Sequence, residues 1–113
     1  AVIAVGEVRA FALGRVIADE AELLTLATDP AARRQGLARA ALAAFEAEVQ
    51  ARGAVRAFLE VAEDNAAARA LYARAQWQSL ARRSAYYRRP EGRVADALVL
   101  EKRFGRELRS SSS

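Results

Sequence analysis

At Gly36 the spacing of apolar residues in this 113-residue chain changes, and that change restricts the fold to a mixture of strands and helices. Downstream, Leu42, Phe45 and Val49 recur at helical spacing, with Arg39, Glu46 and Arg52 off the stripe. Upstream come short apolar runs separated by turn signals. AVIAV (1–5), VRAFALGRVI (8–17) and AELLTLATD (21–29) read as an antiparallel meander, turning at GE (6–7) and ADE (18–20). Gly53 stops the helix. AVRAFLEVA (54–62) then reads as a buried strand, and EDN (63–65) offers caps to a second helix, AAARALYARA (66–75). Trp77 opens a strand that runs to Arg88, RPEG (89–92) turns, and VADALVLEKRF (94–104) is the last strand. The order is β-β-β-α-β-α-β-β. The strand–helix–strand step around the first helix implies a parallel, splayed pair within an otherwise antiparallel sheet, an α+β fold with helices on both faces. Residues 1–104 are expected to form one domain, and GRELRSSSS (105–113) a disordered tail.

The chain has no Cys and no His. That excludes a disulfide framework, a zinc knuckle, a thiol nucleophile and the commonest general base. Catalysis here falls to carboxylates, Tyr, hydroxyls, Lys or backbone groups, and no metal is expected. The formal charge is +4, but the arginines alternate with acids and alanines, so a nucleic-acid partner is not expected. No apolar run reaches the length of a membrane span, and the expected setting is the cytoplasm, with no membrane partner.

The stretch DPAARRQGLARA (29–40) leads into the first helix. It sets Arg33 and Arg34 at the positive end of a helix dipole, where cations are disfavoured unless an anion is also present. The first amides of a helix have no internal acceptor and point at whatever lies beyond, and a pyrophosphate collects several of them at once. Gly36 and Ala38 allow close backbone approach, and Arg33, Arg34 and Arg39 can offset the charge. The loop lacks the Gly-Lys-Ser/Thr ending of a P-loop. An ordinary strand-to-helix connection with surface arginines explains the loop equally well.

Arg33-x-x-Gly36-x-Ala38 resembles the acetyl-CoA pyrophosphate signature of the GNAT superfamily of N-acetyltransferases, and it follows the strand LLTLATDP as that family requires. Three segments, DEAELLTLATDPAARRQGLARA, FLEVAEDNAAARALYARAQW and RRSAYYRRPEGRVADALVLEKRF, are together similar to the RimI type, which acetylates the amino-terminal alanine of a ribosomal protein. The resemblance covers Phe11 to Phe104. It implies acetyl-CoA as donor, no metal, and the amino terminus of a protein, a ribosomal protein among the candidates, as acceptor. It places cofactor contacts at Arg33, Arg34, Gln35, Gly36, Leu37, Ala38, Arg39 and Asn65. The backbone of Leu26, Ala27 and Thr28 would pair with the pantetheine arm, on a strand diverging from the one that carries Glu60.

The same resemblance makes Glu60 the general base, Tyr72 the general acid, and Tyr86 and Tyr87 acceptor contacts. Read without it, Glu60 is a carboxylate in a largely apolar setting, since a strand between two helices is usually covered on both faces, and it would pair with an arginine. Tyr72 would be a core residue beside Leu71, Asn65 a helix cap, and the tyrosine pair sheet-surface aromatics. The alternatives are a GNAT enzyme for a lysine or small-molecule amine, a non-catalytic acetyl-CoA-binding module, and a basic RNA-binding domain. Two departures from the family stand out. Gln76 occupies the place of a glycine after the second helix, where a left-handed turn would cost about 1–2 kcal/mol. The strand and two helices that open the family's fold have no match here; if they are missing, an open slot and an apolar surface are expected, with a homodimer or strand exchange to cover them.

Overall fold

The computed structural model describes residues 2–7, 9–29 and 36–105. They form two compact units, one of the described residues up to 57 together with 103–105, the other of residues 58–102. The elements are β1 (Val2–Glu7), β2 (Ala10–Ile17), β3 (Glu20–Thr28), α1 (Leu37–Ala51), β4 (Arg56–Ala62), α2 (Ala66–Arg74), β5 (Gln78–Arg88) and β6 (Val94–Arg103). Their order is the one expected, and their strand order is β1-β2-β3-β4-β6-β5. Of the expected tail, residues 106–113 lie outside the described residues.

In the first unit β1, β2 and β3 form the antiparallel meander. The first turn falls later than GE (6–7), because Glu7 still pairs with Ala10. The second turn is Ala18-Asp19, between the paired Ile17 and Glu20. Alternation buries Ala10, Ala12, Val16, Ala21 and Leu23 on one face, where α1 packs with Ala41, Leu42, Phe45 and Val49. Gly14 makes this packing possible. A Cβ there would stand 2.4 Å from the Glu22 carbonyl oxygen and 2.5 Å from Phe45 Cε1, so only glycine lets the ring lie against the strand. The start of β4 runs alongside the start of β3 in the same direction: Val55 N–H donates to Asp19 O at 2.8 Å, and the next residues, Arg56 and Glu20, form an ion pair at 2.7 Å. This is the parallel step of a mixed, mostly antiparallel sheet.

In the second unit β5 and β6 pair antiparallel, with irregularities at Ser79/Ala81 and Arg83/Tyr87. Its buried side chains include Leu59, Val61, Tyr72, Trp77, Ala95, Ala97, Leu98 and Leu100.

Both helices end in the same pair of bonds. Beyond α1, Gly53 N–H donates to Gln50 O at 3.0 Å and Ala54 N–H to Val49 O at 2.9 Å; beyond α2, Gln76 N–H donates to Ala73 O and Trp77 N–H to Tyr72 O, each at 2.9 Å. These are two Schellman motifs, each needing a left-handed residue at its corner. Gly53 meets that need with φ 96, whereas Gln76 holds φ 72 against its own Cβ. Gln76→Gly is therefore expected to stabilise the chain by about 1 kcal/mol, the relief of about 1–2 kcal/mol of strain less the backbone entropy of a glycine. A urea titration checks it: the midpoint should rise at unchanged slope, and an unmoved midpoint would remove strain from the account.

Candidate active site

In the first unit α1 begins at Gly36, whose φ of 74 is left-handed and whose carbonyl receives the Ala40 N–H at 3.0 Å. Gly36 brings no side chain to cap the helix, and a Cβ built there would meet nothing within 4 Å. The first turn carries no acidic residue, and its leading amides have no acceptor within the helix. Leu37 and Ala38 are half-buried and Arg39 is exposed. Arg33, Arg34 and Gln35 lie outside the described residues. Leu26, Ala27 and Thr28 end β3, half-buried and paired with Ala12, Phe11 and Ala10. Just before them β3 carries one extra residue: Leu23 pairs with Gly14 but Thr25 with Leu13, which leaves Leu24 bulged.

In the second unit Glu60 departs from expectation. It is not a carboxylate in an apolar setting. On β4, Ala57, Leu59 and Val61 are buried, but the alternate residues Arg56 and Phe58 are only half-buried and Glu60 is exposed. The face that carries Glu60 is polar, and Arg83 from β5 meets it there, donating from Nη1 to Glu60 Oε2 at 2.7 Å. The Arg83 guanidinium lies 4.5 Å from the centre of the Tyr86 ring, which meets Tyr87 edge-on at 5.2 Å. Arg89 lies 5.5 Å from the Tyr87 ring centre and also bonds to Asp64. Asp64 takes a further bond from Arg93 at 2.7 Å, and the two guanidiniums hold its carboxyl down at about 2. Burial, then the negative charge of Glu60, pushes the Tyr87 phenol up from its ordinary value.

So Glu60, Tyr86 and Tyr87, chosen separately in the sequence, meet in one cluster through Arg83. Arg83 itself was missed, as were Asp64 and Asp96, which organise the same surface. Nothing in the spacing marks them, because their partners are 23, 25 and 11 residues away and are fixed by strand register.

Tyr72 is buried and packs against Trp77 with ring centres 6.1 Å apart. These two residues are also joined by the second bond of the Schellman motif, so the helix end and the ring contact set one another's position. Burial raises the Tyr72 phenol. Asn65 caps α2, its Oδ1 accepting from Ala68 N at 3.1 Å. A groove of about 460 Å³ runs beside α2 past Trp77, Leu98, Leu100, Arg69 and Arg82, but none of the expected site residues lines it. No group of acidic residues able to hold a metal occurs among the described residues.

The sequence matches the acetyltransferase (GNAT) family over residues 2–76. The chain belongs to the GNAT acetyltransferase family. It is 41% identical over 95 residues to the [ribosomal protein bS18]-alanine N-acetyltransferase of Escherichia coli strain K12, an alignment covering 84% of this chain and 64% of that one. The protein of the same description from Haemophilus ducreyi is 37% identical over 91 residues, covering 80% and 63%. The crystal structure of the ribosomal-protein-S18-alanine N-acetyltransferase from Escherichia coli superposes with a TM-score of 0.80 at 38% identity, covering 85% of this chain and 61% of the other. The chain thus spans a little under two thirds of the length of these GNAT relatives.

Proposed function

We propose that this chain performs acetyl-CoA-dependent N-acetylation with the amino-terminal α-amine of a protein as acceptor, a ribosomal protein with an amino-terminal alanine being the first candidate. The observation that carries the reading is the start of α1. It is a left-handed glycine with open space where a Cβ would be and no acidic residue in the first turn, at the place of the GNAT pyrophosphate signature. Such a terminus suits an anion that approaches the backbone closely. Arg33, Arg34, Gln35, Leu37, Ala38, Arg39 and Asn65 are proposed to contribute to the same site. The backbone of Leu26, Ala27 and Thr28 is proposed to hold the pantetheine arm as an added strand would.

Acetyl-CoA supplies the acetyl group as a thioester. Glu60, through a water, accepts the proton that the amine loses as its nitrogen bonds to the carbonyl carbon. Tyr72 gives its proton to the sulfur as the carbon–sulfur bond breaks, and burial of the phenol keeps that proton in place at neutral pH. Tyr86 and Tyr87 border Glu60 and are proposed to receive the acceptor. Arg83 occupies Glu60 Oε2, and an ion pair of this kind favours the charged carboxylate over the form that has accepted a proton. That occupancy is the observation favouring a second reading, an acetyl-CoA-binding module without turnover.

Proton cost favours the α-amine as acceptor. Only the neutral amine attacks, and about a tenth of an α-amine is neutral at pH 7. A lysine side chain stands about 2.5 units higher, a penalty of about 3.5 kcal/mol. The test combines calorimetric titration with acetyl-CoA and a competition between two peptides, one with a free amino-terminal Ala, the other blocked there and carrying one Lys. Binding, thiol release and acetyl found on the α-amine are expected. Binding without thiol release would favour the module, and acetyl mainly on lysine would move the acceptor to side-chain amines.

A further inference from the structure

We propose that Asp96 is the positioning residue of the acceptor side, pinning a bulge in β5 that builds the Glu60–Arg83–Tyr86–Tyr87 cluster. The inference rests on the proposed function, in which that cluster receives the amine.

In a regular strand, residues three apart point to opposite faces and lie about 10 Å apart along the chain. Arg83 and Tyr86 are three apart, yet the guanidinium lies 4.5 Å from the ring centre. Neighbours on a strand also point to opposite faces, yet the rings of Tyr86 and Tyr87 touch edge-on at 5.2 Å. A break in the strand accounts for both contacts. Arg83 pairs with Ala97 and Tyr87 with Ala95, so four steps of β5 face two of β6. Within the break Ala85 holds φ 51, a left-handed conformation that costs a non-glycine residue about 1–2 kcal/mol.

Asp96, which lies between Ala95 and Ala97 on β6, holds that conformation from across the ladder. Its Oδ1 accepts the Ala85 N–H at 2.8 Å, and its Oδ2 accepts Arg82 Nη1 at 2.8 Å. Its own carbonyl takes the Glu63 N–H at 2.8 Å, so the same residue ties down the loop between β4 and α2. Arg82 also bonds to Glu63 at 3.0 Å, which closes a ring around the carboxylate. These bonds lower the Asp96 carboxyl, the Ala85 amide first and Arg82 second, so it stays ionised. The bonds of Asp96 go to Arg82, Ala85 and Glu63, so it acts on the four cluster residues through the backbone it pins.

The substitutions Asp96→Ala and Asp96→Asn separate this role from general support. The asparagine keeps an oxygen for the Ala85 amide, whereas alanine removes it. With the full chain, the Ala variant is expected to raise the KM for an amino-terminal peptide about tenfold, the scale of one hydrogen bond to a charged group, at unchanged KM for acetyl-CoA. The Asn variant should stay within about twofold of the parent, since its amide-to-oxygen bond survives. Equal acceptor KM in all three proteins overturns the inference, as does equal damage by both substitutions.

A second readout is independent of turnover. Burial in the cluster and the charge of Glu60 push the Tyr87 phenol up, so its titration, followed by NMR at an assigned Tyr87 resonance apart from Tyr72 and Tyr86, should fall back towards the ordinary value in the Ala variant and not in the Asn variant. If the parent chain transfers no acetyl, the proposed function fails while this titration still decides whether Asp96 sets the cluster. Identical titration of the three proteins overturns it.

Discussion

Tyr72→Phe is expected to lower turnover about 10²- to 10⁴-fold, the usual range for loss of one positioned proton donor. Acetyl-CoA affinity and fold should be retained. The ring packs on Trp77 and the Schellman bond runs through the backbone, and neither needs the hydroxyl. Only a proton given in the transition state is lost, so kcat and kcat/KM should fall together. Burial raises the phenol, which sets the sign of the pH dependence. The acid form persists through neutral pH, and the parent should lose activity to Tyr72 ionisation only above the ordinary phenol value of about 10. The Phe variant should lack that alkaline limb. Stopped-assay thiol release across pH, with calorimetric affinity beside it, reads both. Full turnover in the variant would make Tyr72 a packing residue and return the acid role to solvent.

Gly14→Ala is the substitution expected to harm the fold most, by about 3 kcal/mol, at the upper end of overpacking costs. The new Cβ would be 2.4 Å from the Glu22 carbonyl oxygen and 2.5 Å and 2.8 Å from two atoms of the Phe45 ring. The carbonyl belongs to the adjacent strand and cannot move without breaking the β2–β3 ladder. The ring is fully buried and hemmed in by Leu42 and Val49 on its own helix. Against a typical total of about 5–15 kcal/mol this is a large share. Chemical denaturation measures it, and Phe45→Leu added to Gly14→Ala should recover part of the loss by vacating the ring edge. A midpoint unchanged by Gly14→Ala would mean that α1 does not press on β2 as described.

The fold was legible because its signals are local. Leu42, Phe45 and Val49 mark the buried stripe of α1, Gly53 its end, and the alternation of Ala57, Leu59 and Val61 the inward face of β4. The left-handed turn at Gln76 was also foreseen, from the place a glycine would occupy. What escaped depends on pairing between distant residues. Glu60 was assigned an apolar environment from the general habits of strands between helices, and an arginine partner; the partner is there, but that it is Arg83 from β5 is set by register and by the bulge at Ala85. No periodicity announces a bulge in SAYYRR, and Asp96 looks like any surface acid until the ladder sets it opposite. The Gly14–Phe45 contact likewise joins two elements that only packing brings together. The residues resembling the GNAT site were readable as a motif; their contacts were not.

The two helix ends have a consequence for how long this protein survives inside a cell. Proteases act on transiently unfolded chains, whose number follows the folding free energy. The net cost of Gln76 relative to glycine, about 1 kcal/mol, enlarges that vulnerable population about fivefold over what a glycine corner would leave. It does so at the corner of the motif that also bonds the Tyr72 carbonyl. A single exchange of residue 76 to glycine would thus lengthen the lifetime of the chain while keeping the pair of backbone bonds that ends α2.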